Sequence, residues 1–235
     1  MAKRPVYVST ISGRKLVETK LIEFKWFPGM AVSQKQKSID SLHSSALMQI
    51  TNIDKILEIS SKSKEDLGIA LSAFNLTINT VKYNKSFSVE QAFQSSKVFE
   101  NGGPYTDILD KTSREAKKDT RLKTSGKLKY FLFCGVNWEI EPQTAFYDWL
   151  YINALKKHQD YYEAVCRYTA FTDIEFNPDK SINCQAYSAA LFVSLVNRNL
   201  LDYAASSKSN FLDVISGTLI NNARQDDSLQ ASFQF

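Results

Sequence analysis

Long apolar runs, cysteines and histidines are all scarce in this chain of 235 residues. No stretch approaches the ~18 consecutive apolar residues that a membrane-spanning helix needs. The beginning, Met-Ala-Lys-Arg-Pro-Val, lacks the apolar segment of a signal peptide. We therefore expect no membrane partner and a cytoplasmic location.

The few cysteines and histidines limit the chemistry that this chain can support. Cys134, Cys166 and Cys184 lack the close spacing of a zinc site or a redox pair, so we expect buried thiols. With His43 and His158 alone, a Ser-His-Asp or Cys-His arrangement has few members to draw on. Ligand-type residues form no recognisable metal pattern, so we expect no metal and no cofactor. Catalysis would depend on carboxylates and lysines.

The remaining composition is that of a globular protein with an uneven charge. Hydrophobic residues make up 43% and aromatic residues 12% of the chain, which is enough for one well-buried core. The net charge of +4 comes mainly from residues 1–60, with 9 basic and 5 acidic residues, and from residues 111–129, with 8 and 2. Such patches suit a phosphate-bearing partner, although a solvated helix face has the same composition.

Hydrophobic periodicity predicts a mixture of helices and strands. An N-terminal hairpin is expected because two strand-like segments flank Ser12-Gly13. The expected strands are 5–12, 15–27, 55–60, 73–81 and 127–136, and the expected helices are 31–49, 88–100, 111–124, 144–155, 159–169 and 184–201.

The segment 88–100 has the strongest functional pattern. Read as a helix, it places Glu90, Gln94 and Lys97 within roughly one 60° sector of a single face. Phe93 borders that sector, so a carboxylate, an amide and an ammonium would converge beside an apolar wall. The alternative is an exposed polar stripe with two solvated charges.

Several motifs in this region resemble those of one family. The sequence VEQAFQSSK, from Val89 to Lys97, resembles the "S/V-E-x-x-F-Q-x-x-K" helix of the NADAR superfamily. Leu71-Ser72-Ala73-Phe74 is similar to the family's "L/F-S-N-F" strand, at the usual offset from Glu90, with alanine in place of a ligand-binding amide. Ile59-Ser60-Ser61-Lys62-Ser63 is similar to its "F-Y-S" opening, and Phe171-Thr172-Asp173 to its "Y-W-G-D". The resemblance covers roughly residues 56–200.

The rest of the chain resembles one branch of that family. Residues 23–29 and the long stretches around 101–142 look like those of NADAR proteins paired with DarT-type toxins, which attach ADP-ribose to guanine in DNA. The resemblance implies an antitoxin that cleaves the bond between guanine and ADP-ribose. It also implies an α+β fold, a single largely helical NADAR domain with a small β component and an N-terminal β-hairpin. The expected organisation is an extension over 1–55, a catalytic domain over 56–220 and a tail over 221–235.

Three residues would then perform the chemistry. Glu90 would stabilise positive charge on the ribose or activate water. Lys97 would attack the sugar to give a Schiff base, or else donate a proton or hold a phosphate. Asp173 would complete a carboxylate pair, one group protonating the departing base.

The expected ligand contacts are of two kinds. Donors for the diphosphate would be Ser61, Lys62, Ser72 and Gln94, and aromatic residues for stacking a base would be Phe74 and Phe171. Trp26 is either a platform for an unstacked base or a core residue. The partner would be ADP-ribosylated DNA, with ADP-ribose as product. The alternatives are an N-glycosidase of small phosphorylated metabolites and a non-catalytic module that binds ADP-ribose or nucleic acid.

Overall fold

The computed structural model describes residues 1–80, 85–179 and 181–217, so the tail expected over 221–235 lies outside the described residues. The strands are β1 (Ala2–Ser9), β2 (Val17–Phe24), β3 (Ile56–Glu58), β4 (Thr77–Thr80), β5 (Lys85–Ser88), β6 (Lys97–Phe99), β7 (Leu128–Phe133), β8 (Val136–Trp138) and β9 (Ala170–Thr172). The helices are α1 (Val32–Gln49), α2 (Asp66–Ala70), α3 (Val89–Ser95), α4 (Ser113–Lys118), α5 (Arg121–Thr124), α6 (Ala145–Lys156), α7 (Gln159–Val165), α8 (Gln185–Asn197), α9 (Leu201–Ser206) and α10 (Lys208–Ser216). This arrangement confirms the α+β class.

One sheet joins the N-terminal hairpin to strands from the rest of the chain. Its strand order is β2-β1-β9-β3, and β1 pairs antiparallel with β2 from Ala2 opposite Phe24 to Ser9 opposite Val17. Strand β9 lies between β1, to which it is antiparallel, and β3, to which it is parallel. The expected hairpin is therefore confirmed. The division of the chain into 1–55 and 56–220 crosses this sheet and stays a prediction.

Helices cover both faces of this sheet. Neighbouring residues of a strand point to opposite faces, so Phe171 joins the large core built on α6 and α8, while Ala170 joins a smaller core beneath α1. Helix α8 is almost wholly buried because its apolar residues surround it on all sides. None of the helices in the described ranges has the length and hydropathy to cross a membrane.

The central helix is shorter than the sequence pattern predicts. Helix α3 ends at Ser95, and the next residues form β6, in which Lys97 pairs with Phe131 of β7. The hydroxyls of Ser95 and Ser96 both donate to the Ala92 carbonyl oxygen, at 3.0 and 2.6 Å, and such local bonds compete with helix continuation. The expectation of a helix over 88–100 is therefore wrong after Ser95.

Gly68 in α2 lies against the end of β3. A Cβ atom at this position would overlap the carbonyl oxygen of Glu58 and the side chain of Ser63. We expect Gly68→Ala to lower the free energy of unfolding by roughly 1–3 kcal/mol, because the methyl group overpacks this contact. Urea denaturation would measure the loss. The control is Gly217→Ala, where the atom nearest to an added Cβ is at 3.5 Å and a change within about 0.5 kcal/mol is expected. Equal stability of the two variants would contradict the close contact at Gly68.

Candidate active site

A cavity of about 660 Å³ lies beside α3, the segments that follow β3 and β9, and the beginning of α8. Its volume lies in the range of small-molecule sites. Seven residues expected at the site from the sequence line this cavity: Ser61, Ser72, Phe74, Glu90, Gln94, Lys97 and Asp173. They come from segments more than 100 residues apart, so the fold itself assembles them.

Three polar side chains form a hydrogen-bonded chain along the cavity wall. Gln94 Nε2 donates to Glu90 Oε1 at 2.9 Å, and Lys97 Nζ donates to Gln94 Oε1 at 2.8 Å. Glu90 and Gln94 are only 5% and 7% exposed, and Lys97 Nζ lies 4.6 Å from the ring centroid of Phe93. The convergence expected from helical spacing is present, although Lys97 belongs to β6. The exposed-stripe alternative is excluded by this burial.

Helix α3 is fixed at its N-terminus by side-chain and backbone bonds. Ser88 Oγ accepts from the Gln91 backbone N–H at 3.1 Å, and the Ser88 N–H donates to Gln91 Oε1 at 2.6 Å, which forms a capping box. The Glu90 N–H donates to the Ala73 carbonyl oxygen at 2.9 Å. This bond fixes the backbone of Glu90 to the segment that provides Ser72 and Phe74.

The surroundings of Lys97 increase the fraction of its neutral amine. Burial lowers its pKa from 10.5 to about 8, the Glu90 carboxylate opposes that shift, and Lys117 adds to it. At pH 7, about a tenth of Lys97 is then unprotonated. A neutral amine can act as a nucleophile, which an ordinary surface lysine cannot do at this pH to the same extent.

Asp173 is held at the cavity by three N–H donors. Its Oδ1 accepts from the Glu175 and Phe176 backbone at 3.0 and 3.1 Å, and its Oδ2 accepts from Gln185 Nε2 at 3.0 Å. Burial and the nearby Glu58 carboxylate outweigh these bonds and raise the pKa of Asp173 to about 8. The carboxyl group is therefore mostly protonated at neutral pH and can act as an acid.

The side chain of Gln185 connects three segments of the site and was missed by sequence reasoning. Its Nε2 donates to the Ile59 carbonyl oxygen at 2.6 Å as well as to Asp173, and its Oε1 accepts from the Ala73 N–H at 2.7 Å. The only signal in the sequence is a polar residue at the first turn of the most apolar helix, which does not indicate these partners.

A second group of polar residues lies behind the cavity. Glu58 accepts from Ser60 Oγ at 2.7 Å, from Thr172 Oγ1 at 2.6 Å and from the Ile174 N–H at 2.9 Å. His43 Nε2 lies 2.8 Å from Thr172 Oγ1, and burial lowers the pKa of this imidazole to about 4, so it is neutral. These bonds hold β3 to the end of β9 and to the turn that follows.

Three residues that the sequence indicated do not line the cavity. Phe171 is 0% exposed in the core beneath the sheet, so the expectation that it stacks a base is wrong. Trp26 is partly buried between Arg4 and Lys35, whose cations lie 5.5 and 4.8 Å from the centre of its ring system. Lys62 contributes a backbone N–H to Ser60 Oγ at 3.1 Å, and its side chain is not part of the cavity wall.

Lys117 is a cavity residue that sequence reasoning did not single out. It comes from α4, within the basic segment 111–129, and its Nζ lies 5.2 Å above the ring of Phe74. Within the described ranges, no cluster of three or more His, Cys, Asp or Glu side chains is suitable for holding a metal ion.

The pKa of Lys97 leads to a measurable reactivity. An amine-reactive reagent followed by mass spectrometry should give a modification rate at Lys97 with an inflection near pH 8, against about 10.4 for exposed lysines. Glu90→Gln should move this inflection lower, because the carboxylate stabilises the ammonium. Glu115→Gln, outside the cavity, should not move it. An inflection of Lys97 near that of the exposed lysines would contradict its desolvation.

None of the curated proteins matches the chain. A family model described as "DarT1-associated NADAR antitoxin" matches residues 2–225, which is nearly the whole chain and includes the hairpin, the cavity and the residues around it. The chain belongs to the family of DarT1-associated NADAR antitoxins.

Proposed function

We propose that this protein is an N-glycosidase that removes ADP-ribose from guanine bases in DNA, as the antitoxin of a DarT-type toxin. The observation that carries the proposal is the buried Glu90–Gln94–Lys97 chain at the wall of a cavity of ligand size. Membership of a family of toxin-associated antitoxins supports the biological role. The substrate and the bond that is cleaved are those that the family resemblance implies, and the roles of the residues are inferred from their side chains.

Glu90 is suited to the charge that develops on the sugar. Breaking an N-glycosidic bond leaves positive charge on the ribose ring, and a desolvated carboxylate stabilises it more strongly than one in water. Glu90 is fixed by the capped helix and by its bond to Gln94, so it needs little reorganisation. Removal of one preorganised oxyanion-hole donor lowers rates by roughly 100-fold to 1,000-fold in other enzymes, and we expect a loss of similar size for this electrostatic group.

Lys97 is suited to a covalent step. Its neutral Nζ forms a bond to the anomeric carbon as the bond from that carbon to the guanine nitrogen breaks, and the bonding electron pair leaves with the base. Glu90 takes the excess proton from Nζ and returns it to the ring oxygen as the ring opens to a Schiff base. Water then adds to the Schiff base, Nζ is released, and free ADP-ribose leaves.

Asp173 is suited to protonate the departing base. Its raised pKa keeps a proton on the carboxyl group at pH 7, and it lines the same cavity as Glu90 and Lys97. Burial raises the pKa of the Tyr147 phenol, and the Glu90 and Asp173 carboxyl groups raise it further, so both carboxyl groups lie within electrostatic range of this phenol. The two carboxyl groups thus have different tasks: Glu90 stabilises the charge on the sugar and Asp173 donates a proton.

The remaining lining suits the ribose and diphosphate. Ser72 Oγ is buried without a hydrogen-bond partner among the described residues, and a ligand hydroxyl or phosphate oxygen would satisfy it. Ser61 lies on the same cavity, and Lys117 adds a cation above the ring of Phe74. An anionic diphosphate would gain charge-assisted bonds there.

The basic segment beside the cavity suits a DNA strand. Arg114 and Lys118 are exposed on α4, the helix that also provides Lys117. Two other cations of this segment are engaged within the fold, since Lys111 pairs with Asp119 at 2.5 Å and Arg121 with Asp107 at 2.6 Å. Lys123 and Lys127 are exposed. Electrostatic contact with the strand would therefore involve α4 and these two lysines, and it would weaken with added salt.

The test is release of ADP-ribose from a single-stranded oligonucleotide that contains ADP-ribosylated guanine. We expect release by the native protein and a loss of at least about 100-fold in Glu90→Gln, Lys97→Ala and Asp173→Ala. The matched controls Lys157→Ala and Asp160→Asn lie outside the cavity and should retain full activity. Absence of release, with tight binding of free ADP-ribose, would instead identify a binding module. Release restricted to small phosphorylated N-glycosides would identify a metabolite glycosidase.

The covalent role of Lys97 has its own test. Free ADP-ribose presents an aldehyde in its open form, so cyanoborohydride should trap a secondary amine on Lys97 of the native protein, detectable by mass spectrometry. Lys117→Ala should still be trapped and Lys97→Ala should not. If the native protein releases ADP-ribose but no adduct forms on Lys97, this lysine acts as an acid or a phosphate ligand and the covalent step is wrong.

A further inference from the structure

A second cavity, of about 180 Å³, adjoins the main one. The two share Phe93, Lys97 and Tyr147, together with residues of the segment before α8. The side chain of Lys97 therefore stands at the boundary between two chambers. The smaller chamber is below the volume range of complete small-molecule sites and suits one ring system of a larger ligand.

The lining of the second cavity is aromatic and nearly uncharged. The Phe131 ring lies 5.3 Å from that of Phe93 and 4.8 Å from that of Phe146, so three rings stand together at its wall. Among the described residues that line it, the charged ones are Lys97, at the shared boundary, and Glu139. Planar aromatic groups bind such surfaces by stacking.

The rim of the second cavity is polar and open to solvent. Glu139, Ile140 and Gln143 line it and are exposed, and Asn183 adds a second amide. Glu139 is an acceptor and is paired with Lys208 at 2.5 Å. Carboxylate and amide groups at the edge of an aromatic slot can hydrogen-bond the donors and acceptors of a purine edge.

We propose that the second cavity receives the purine base to which ADP-ribose is attached, while the ribose and diphosphate occupy the main cavity. This inference rests on the proposed function and names the part of the substrate that each chamber holds. The glycosidic bond then crosses the boundary at Lys97, so the nitrogen of the departing base lies at the edge of the main cavity, the cavity that Asp173 lines. The rest of the base enters through the exposed rim while its nucleotide stays in the strand.

The hydrogen-bond donors of the two chambers favour this orientation over the reverse. The main cavity carries the carboxyl groups of Glu90, Asp173 and Glu175. It also offers a diphosphate Lys117 and the Ser72 hydroxyl, which has no hydrogen-bond partner among the described residues. The second cavity offers the Glu139 carboxylate and no charged donor besides the shared Lys97. The adenine of ADP-ribose is separated from the anomeric carbon by the diphosphate and a second ribose. It therefore cannot lie next to Lys97 when that residue contacts the anomeric carbon.

The test uses large side chains introduced at the rim to fill the second cavity. Ile140 is 42% exposed, so Ile140→Trp can place an indole over the opening without disturbing the core. Gln143→Trp fills the cavity from another rim position. Both variants should have the same melting temperature as the native protein. The matched control is Val136→Trp, because Val136 is 45% exposed and belongs to neither cavity.

Binding is compared in the Glu90→Gln background, which prevents turnover. The probes are free ADP-ribose and an oligonucleotide with one ADP-ribosylated guanine. We expect Ile140→Trp and Gln143→Trp to weaken oligonucleotide binding by on the order of 10-fold to 100-fold, the loss of one stacked base, and to leave ADP-ribose binding unchanged. Val136→Trp should change neither.

Each other outcome overturns the assignment. Equal weakening of both probes would place the adenine end in the second cavity. If neither rim variant changes binding of the oligonucleotide while the native protein still releases ADP-ribose, this inference is refuted and the proposed function is not. If the native protein neither releases ADP-ribose nor binds the oligonucleotide more tightly than its unmodified form, the proposed function and the inference both fail.

Discussion

The bonds of one partly buried amide hold the candidate site together. From the first turn of α8, Gln185 reaches the end of β3, the turn after β9 and the backbone of Ala73. Ala73 in turn accepts from the N–H of Glu90. Two of the three proposed catalytic residues are therefore linked through a single side chain. A buried backbone group that loses such a partner costs about 1–3 kcal/mol, so the amide contributes both order and stability here.

Burial shifts the titratable groups around the cavity towards their neutral forms. It raises the pKa of Asp173 and Glu58 and lowers that of Lys97 and His43. Desolvation is the largest cause in all four cases, because each group lies where a charge cannot be fully hydrated. The larger share of neutral amine at Lys97 and the retained proton at Asp173 thus result from the same physical cause, desolvation.

The local sequence pattern was sufficient to predict some residues of this site but not the others. Glu90, Gln94 and Lys97 lie close in sequence, so spacing alone predicted their convergence, even though α3 ends before Lys97. Asp173 could be connected with them only through a family resemblance. The prediction for Phe171 was wrong because this residue lies in a strand of a sheet that helices cover on both faces, so its side chain is buried in a core. Gln185 and Glu58 act through contacts more than 100 residues apart, which no local pattern contains.

The position of β9 between β1 and β3 also bears on how the chain acquires activity during synthesis. Val8 pairs with Ala170, and Ala170 pairs with Ile56. Strand β1 of the hairpin therefore pairs with a strand that is synthesised about 160 residues later. Pairings of such high contact order form slowly and late. A nascent chain that ends before β9 lacks the strand that joins its two halves, as well as Asp173 and Gln185. Most of the polypeptide must therefore leave the ribosome before the main cavity can form, so the candidate site is assembled only near the end of synthesis.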